Sequence, residues 1–167
     1  MVGLDQWTKA LVQRHVSQSA PSRPLIPGVL NLTHVLNDGV AFGQLRGGGI
    51  LLVLIAAAAV AGILIYRARL LKSGRPLPLM LWLGLALPMA GALGNSIDRL
   101  RQGRVIDFLQ FGGILEWFPV FNVADTAITI GAGLLILHSL QGAEPEHVAT
   151  PADPVTEPAE IAPAGDS

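Results

Sequence analysis

The sequence predicts a mostly α-helical, polytopic membrane protein with a small β-sheet outside the bilayer. Three observations carry that prediction. Hydrophobic residues make up 51% of the 167 and charged residues only 14%, with a mean hydropathy of +0.52, a composition foreign to a soluble domain of this length. Residues 47–66, 77–93 and 120–140 are apolar runs, each near the roughly 17 to 25 residues that a helix needs to cross the hydrocarbon. Residues 25–36, by contrast, alternate imperfectly and are β-branched, as short strands are.

At the amino end, Met1-Val2-Gly3-Leu4 runs straight into Asp5-Gln6-Trp7-Thr8-Lys9, too short and too polar for a signal peptide or a full span. The strand region follows, and Asn37-Asp38-Gly39 is a turn signal that closes it before Val40-Ala41-Phe42. In the run 47–66 the only polar content is glycine and a terminal tyrosine. Arg67, Arg69, Lys72 and Arg75 then fill a short link, which the excess of Lys and Arg in cytoplasmic loops places inside. The second run contains Pro78 and Pro88, tolerable where neighbouring helices re-satisfy the backbone. One span later, residues 95–119 must face outward, although Arg99, Arg101 and Arg104 weaken the bias. The third run is interrupted by Asn122 and Asp125, and its Gly131, Ala132 and Gly133 suit close helix packing. Residues 141–167 return to the cytoplasm as a Pro, Ala, Glu and Asp-rich tail, expected to be disordered. Three spans and an inside carboxyl end put the amino end outside. A leading fourth span would restore an inside start, so the chain is expected to lack most of a first helix.

Composition also excludes several chemistries. A net charge of −1, with basic residues in loops, gives no footprint for nucleic acid. The absence of cysteine removes disulfides, thiolate catalysis and cysteine metal sites. His15, His34, His138 and His147 are scattered without paired-ligand spacing for zinc.

The carboxylates at the membrane edge need a reason, because a charge in hydrocarbon costs roughly 2.5 to 3.5 kcal/mol on insertion scales. Asp5 and Lys9 are spaced i, i+4, an ordinary helical ion pair. Asp98 shares a helix face with Asn95 and stands beside Arg99, so a structural ion pair explains it locally. Asn122 and Asp125 repeat the N-x-x-D spacing at the start of the last span, where Asn122 can cap the helix. Capping explains Asp125 less well, since a first-turn acid gains only about 0.3–1 kcal/mol when exposed. Asp107 is hardest to dismiss, standing alone in the apolar pentad Val105-Ile106-Asp107-Phe108-Leu109. Two adjacent carboxylates cannot both ionise and would share one proton, the chemistry of an aspartic protease. Spacing alone leaves open whether the pair is Asp107 with Asp125 or Asp98 with Asp125.

Four blocks occur in order over about residues 4–140: Asp5-Gln6-Trp7-Thr8-Lys9, Asn37-Asp38-Gly39-Val40-Ala41-Phe42, Gly94-Asn95-Ser96-Ile97-Asp98-Arg99 leading to Gly103-Arg104-Val105-Ile106-Asp107-Phe108, and Phe121-Asn122-Val123-Ala124-Asp125. Together they resemble the lipoprotein signal peptidases, the signal peptidase II family of bacterial inner-membrane aspartic peptidases. The resemblance implies a four-helix transmembrane bundle with a small extracytoplasmic β-cradle, its first helix truncated here because the chain starts four residues ahead of the first block. It implies a membrane-embedded peptidase domain over 1–140, followed by the tail 141–167. It further implies that Asp107 and Asp125 are catalytic and that Asn37, Gly39, Asn95, Asp98, Arg99 and Asn122 shape the site or contact substrate. Asp5 and Lys9 would support it from the end of the first helix. The implied substrates are prolipoproteins carrying a diacylglyceryl-cysteine, cut just before that cysteine on the extracytoplasmic side of the cell (inner) membrane. Membrane lipid is the other implied partner, and no metal or cofactor is implied. One block departs from the family's N-T-G-A-A-F, with Asp38 adding a charge and Val40 a bulkier side chain beside the substrate path.

Two other classes compete on the residues alone. A proton-coupled transporter would use carboxylates and prolines in its spans, and would want polar groups along 47–66, which has almost none. A structural membrane subunit would use the aspartates only as caps and ion pairs.

Overall fold

The computed structural model describes residues 1–38, 49–72 and 78–141. Helix α1 (Val2–His15) leads to strands β1 (Arg23–Ile26) and β2 (Leu30–Asn37), then helices α2 (Gly49–Lys72) and α3 (Leu79–Gln102). Strand β3 (Val105–Phe111), a 3-10 turn (Gly113–Leu115) and helix α4 (Val123–Gln141) complete the order. Among the described residues, α2, α3 and α4 are long and apolar enough to cross a membrane. The mostly helical membrane fold with a small antiparallel sheet is as the sequence predicts. Gly39 and the rest of the segment 39–48 lie outside the described residues, as do Arg75 and the tail from 142 onward.

Element boundaries differ from expectation in two places. Helix α2 runs on to Lys72, carrying Arg67 and Arg69 as helical residues, since arginine and lysine are good helix formers whose charges snorkel outward. Helix α3 does not end at residue 93 but continues through Asn95, Asp98 and Arg99, so the outward loop expected from residue 95 begins only at Gly103. Polar groups from α1 meet that last stretch, which removes the reason for the helix to stop. Gly103 then ends it in the left-handed conformation (φ 77°), its N–H bonding Arg99 O at 2.9 Å.

Helix α3 packs against each of the other three helices. Toward α4 the contact is backbone-close. Gly131 receives the ring of Pro88, Gly91 faces Ala124 and Ile128, and Gly84 faces Leu135. Without water to drive association in a bilayer, such small-residue surfaces let helices gain dispersion contacts. Pro88 interrupts the hydrogen-bond ladder of α3, and its ring is accommodated because residue 131 has no side chain.

The sheet has the order β1-β2-β3, antiparallel throughout. The register of β2 on β3 shifts between Leu32 and Val35, a bulge that puts Val35 opposite Asp107 and Asn37 opposite Val105. On its other edge β3 is tied to the entry of α4, with Phe108 and Leu109 N–H both donating to Phe121 O at 3.0 and 2.8 Å. Val12 of α1 packs with Ile106 and Phe108 beneath the sheet, so one face of β3 rests on the first helix. Strand β3 was not expected from the sequence, because both its faces are covered and the period-2 signal of a half-buried strand is lost.

The Pro88–Gly131 contact is directly testable. A Cβ at residue 131 would lie 2.6 Å from Pro88 Cγ, whereas one at Gly133 meets nothing within 4 Å. Gly131→Leu is expected to destabilise the protein by about 1–3 kcal/mol in thermal unfolding in detergent, and Gly133→Leu to leave it near wild type.

Candidate active site

Helix α4 begins with a reciprocal cap. Asn122 Oδ1 accepts the N–H of Asp125 at 3.0 Å, and Asp125 Oδ2 accepts the N–H of Asn122 at 3.1 Å, the capping-box arrangement. This fixes the Asn122 amide, whose oxygen faces the helix while its Nδ2 points away from it. That nitrogen donates to Asp107 Oδ1 at 2.7 Å. The cap of α4 is thus also a bridge between the two carboxylates.

Asp107 reaches this point from β3. Its other oxygen, Oδ2, accepts Asn37 Nδ2 at 2.8 Å, from the end of the neighbouring strand. Asp107 is 2% exposed, and burial pushes its carboxyl up to about 6, with the charge of Asp125 acting in the same direction and the Asn37 and Asn122 donors opposing it. The second oxygen of Asp125, Oδ1, accepts Asn95 Nδ2 at 2.7 Å from α3. Each carboxylate oxygen of the pair therefore has an amide donor, and the two asparagine side chains between them come from different helix ends.

Behind the pair lies a buried charge cluster. Lys9 Nζ contacts Asp5 Oδ2 at 3.0 Å, Asp98 Oδ2 at 2.8 Å and Asn95 Oδ1 at 2.8 Å. An ammonium only donates, so it must meet the oxygen of the Asn95 amide, and this turns the NH2 toward Asp125. Asp5 Oδ1 in turn accepts the N–H of Ala124, placing a carboxylate at the positive end of α4. Gly94 permits that approach, since a Cβ there would lie 3.1 Å from Asp5 Cγ. Asp98 Oδ2 accepts the N–H of Ile106 at 3.3 Å, which anchors the start of β3.

The expected residues mostly converge, with one correction. Asp5 and Lys9 form the predicted i, i+4 pair, but buried and joined by Asp98. Asp98 is not explained by Arg99: consecutive helical residues point about 100° apart, and the ion partner of Asp98 is Lys9. Arg99 instead lies half-buried within electrostatic reach of Asp125, Asp107 and Asp98, and its Nε is a buried donor without a hydrogen-bond partner among the described residues. Gly39 falls outside the described residues. Sequence reasoning passed over Gln6, whose Nε2 reaches Asp98 Oδ1 at 2.9 Å and Gly94 O at 3.1 Å. Its i, i+3 relation to Lys9 was the available signal. Among the described residues, no three His, Asp or Glu side chains converge as metal ligands.

Comparison with known proteins gives the family of the chain. The family model described as "Signal peptidase (SPase) II" matches residues 1–141. A lipoprotein signal peptidase of Symbiobacterium thermophilum is 48% identical over 82% of this chain and 87% of its own length. One from Geobacillus thermodenitrificans is 43% identical over 87% of this chain and 88% of its own. A solved structure titled as a bacterial membrane enzyme, determined by the in meso method, superposes with a TM-score of 0.75 at 33% identity, covering 84% of this chain and 88% of that one. From its sequence over nearly the whole described length, and from its fold, the chain belongs to the signal peptidase II family.

Proposed function

We propose that this protein is a membrane aspartic endopeptidase that removes the signal peptide from diacylglyceryl-modified prolipoproteins, cutting before the lipid-modified cysteine. In this reading Asp107 and Asp125 are the catalytic dyad, working at the extracytoplasmic face of the bacterial inner membrane. The observation that carries it is the bridge of Asn122 between two carboxylates, one of them almost fully buried. A lipid-anchored substrate presents its scissile bond at a membrane surface, and the dyad sits where the helix ends meet the sheet.

The chemistry follows from one shared proton. Asp107, whose surroundings disfavour its charge, carries the proton, and Asp125 takes a proton from a water as that water attacks the scissile carbonyl carbon. Asp107 gives its own proton to the carbonyl oxygen, forming a tetrahedral diol with no covalent enzyme intermediate. As the C–N bond breaks, Asp125 protonates the leaving amine and Asp107 recovers a proton from the diol. Asn95, Asn122 and Asn37 hold the carboxylates in place throughout, and Arg99 is the cation available to the substrate's polar groups.

Two measurements test this reading. Asp107→Asn and Asp125→Asn are each expected to lower prolipoprotein cleavage by about 10²–10⁴-fold while the purified protein still folds; normal processing by either variant sinks the assignment. The second measurement is stability against pH. The folded state holds the Asp107 proton up to about 6, above the ordinary 3.8, so wild-type stability falls as pH rises through that window. Thermal unfolding should therefore show Asp107→Asn gaining roughly 3 kcal/mol relative to wild type between pH 4 and 7.

A further inference from the structure

The block that begins at Asn37 carries a charge at Asp38 that the family's N-T-G-A-A-F lacks, and Arg104 answers it. Arg104 Nε meets Asp38 Oδ1 at 2.7 Å. Past the bulge of β2, three residues remain in register with β3: Val35 opposite Asp107, Leu36 opposite Ile106 and Asn37 opposite Val105. Asn37 is the last residue of β2. Carried on by one position, the same register sets residue 38 against residue 104, so the ion pair closes the ladder where its rungs end. Arg104 is held from behind by Gly103, which terminates α3 in the left-handed conformation. What the pair secures is a diagonal contact. Asp107 stands opposite Val35, and Asn37 reaches it from two residues further along β2, its Nδ2 donating to Asp107 Oδ2 at 2.8 Å. Diagonal neighbours on one face of a sheet lie roughly 7–8 Å apart, a separation that suits long side chains. Asparagine is short. The bond therefore depends on the end of β2 staying close to β3, where a strand frays most readily.

We propose that Asp38 and Arg104 form a latch that positions Asn37 on Asp107, an inference that rests on the dyad proposed above. Both are positioning residues and act through Asn37. Their side chains are 54% and 53% exposed, and an exposed ion pair contributes little to global stability, so the effect is confined to the strand end that the pair joins. Asp107 reports whether Asn37 is in place. The Asn37 donor favours the charged carboxylate, against the burial and the Asp125 charge that push it up to about 6. Asp107 is also faced by Asn122 and Asp125 of α4, Lys9 of α1 and Arg99 of α3, and none of these is a partner of Asp38 or Arg104 among the described residues. Losing the latch releases the donor and raises the proton affinity of Asp107, so the pH window through which wild-type stability falls moves upward. The sign separates two explanations. Acting through Asn37, Asp38→Asn and Arg104→Gln both move the window up. Acting by charge through space, they would move it in opposite directions, because one removes an anion and the other a cation.

The test is thermal unfolding of the purified protein in detergent across about pH 4 to 8, with prolipoprotein cleavage followed over the same range. Each single variant is expected to shift the window upward by no more than Asn37→Ala does, and to shift it no further in an Asn37→Ala background. The exchanged pair, Asp38→Arg with Arg104→Asp, is expected to restore the wild-type window. In cleavage, the single variants are expected to lose up to about fivefold in kcat at little change in KM, the range that an exposed ion pair spans. Opposite shifts from the two variants, no shift, additivity with Asn37→Ala, an exchanged pair that restores nothing, or a loss confined to KM would overturn the latch. A wild-type protein that cleaves no prolipoprotein would instead overturn the peptidase reading, and the unfolding shifts would still decide the latch.

Discussion

A buried ammonium has to be paid for by its neighbours, and the arrangement around Lys9 determines how the other elements meet. At 1% exposure its Nζ is held by Asp5, Asp98 and Asn95. Each of those partners has a second engagement. Asp5 takes the Ala124 N–H and fixes the start of α4, Asp98 takes the Ile106 N–H and fixes the start of β3, and Asn95 donates to Asp125. One cation thereby sets the mutual positions of α1, α3, α4 and β3. Breaking a buried ion pair from one side costs about 3–5 kcal/mol, because the remaining charge is stranded. Here two carboxylates would be stranded together.

The proposed dyad uses contacts that the fold already requires. Asn122 would cap α4 in any helical protein, and Asp125 completes the cap from the third position. What goes beyond the needs of a helix start is the amide nitrogen of Asn122, which donates to Asp107 Oδ1 and also reaches Asn95 Oδ1 and Ile106 O. Placing a carboxylate in a cap also answers its desolvation with backbone and amide donors, which an isolated aspartate among Val123, Ala124 and Ile128 would lack. Asp107 has donors on both oxygens as well, yet burial still outweighs them. The pair is thus asymmetric: one member belongs to a helix terminus, the other to the interior of a strand.

Helix α3 presents two different sides to its neighbours. Toward α4 its glycines and Pro88 bring backbones into contact, leaving little freedom at the level of Asn95 and Asp125. Toward α2 the packing is looser, and none of the residues of α2 is buried within the protein. The side of α3 that carries Asn95 toward Asp125 is thus the close-packed one, and the side toward α2 the looser one.

Residues alone determined the spans, the strands before residue 37, the helical pairing of Asp5 with Lys9, the cap at Asn122 and the unexplained position of Asp107. These are local properties. Hydropathy reports transfer free energy residue by residue, and capping and i, i+4 pairs depend only on near neighbours. The resemblance of the ordered motifs added the choice of Asp107 with Asp125 that spacing had left open. Tertiary structure decided what local patterns do not encode. Helix α3 outlasts its apolar run because α1 supplies hydrogen-bond partners to Asp98 and Asn95. Strand β3 shows no alternation because it is covered on both faces. Asp98 pairs with Lys9, far away in sequence, and not with the adjacent Arg99. The orientation of the Asn95 amide, which puts a donor on Asp125, depends on an ammonium from another helix. A side chain's partner is chosen by which surfaces pack, and packing is settled by the whole chain at once.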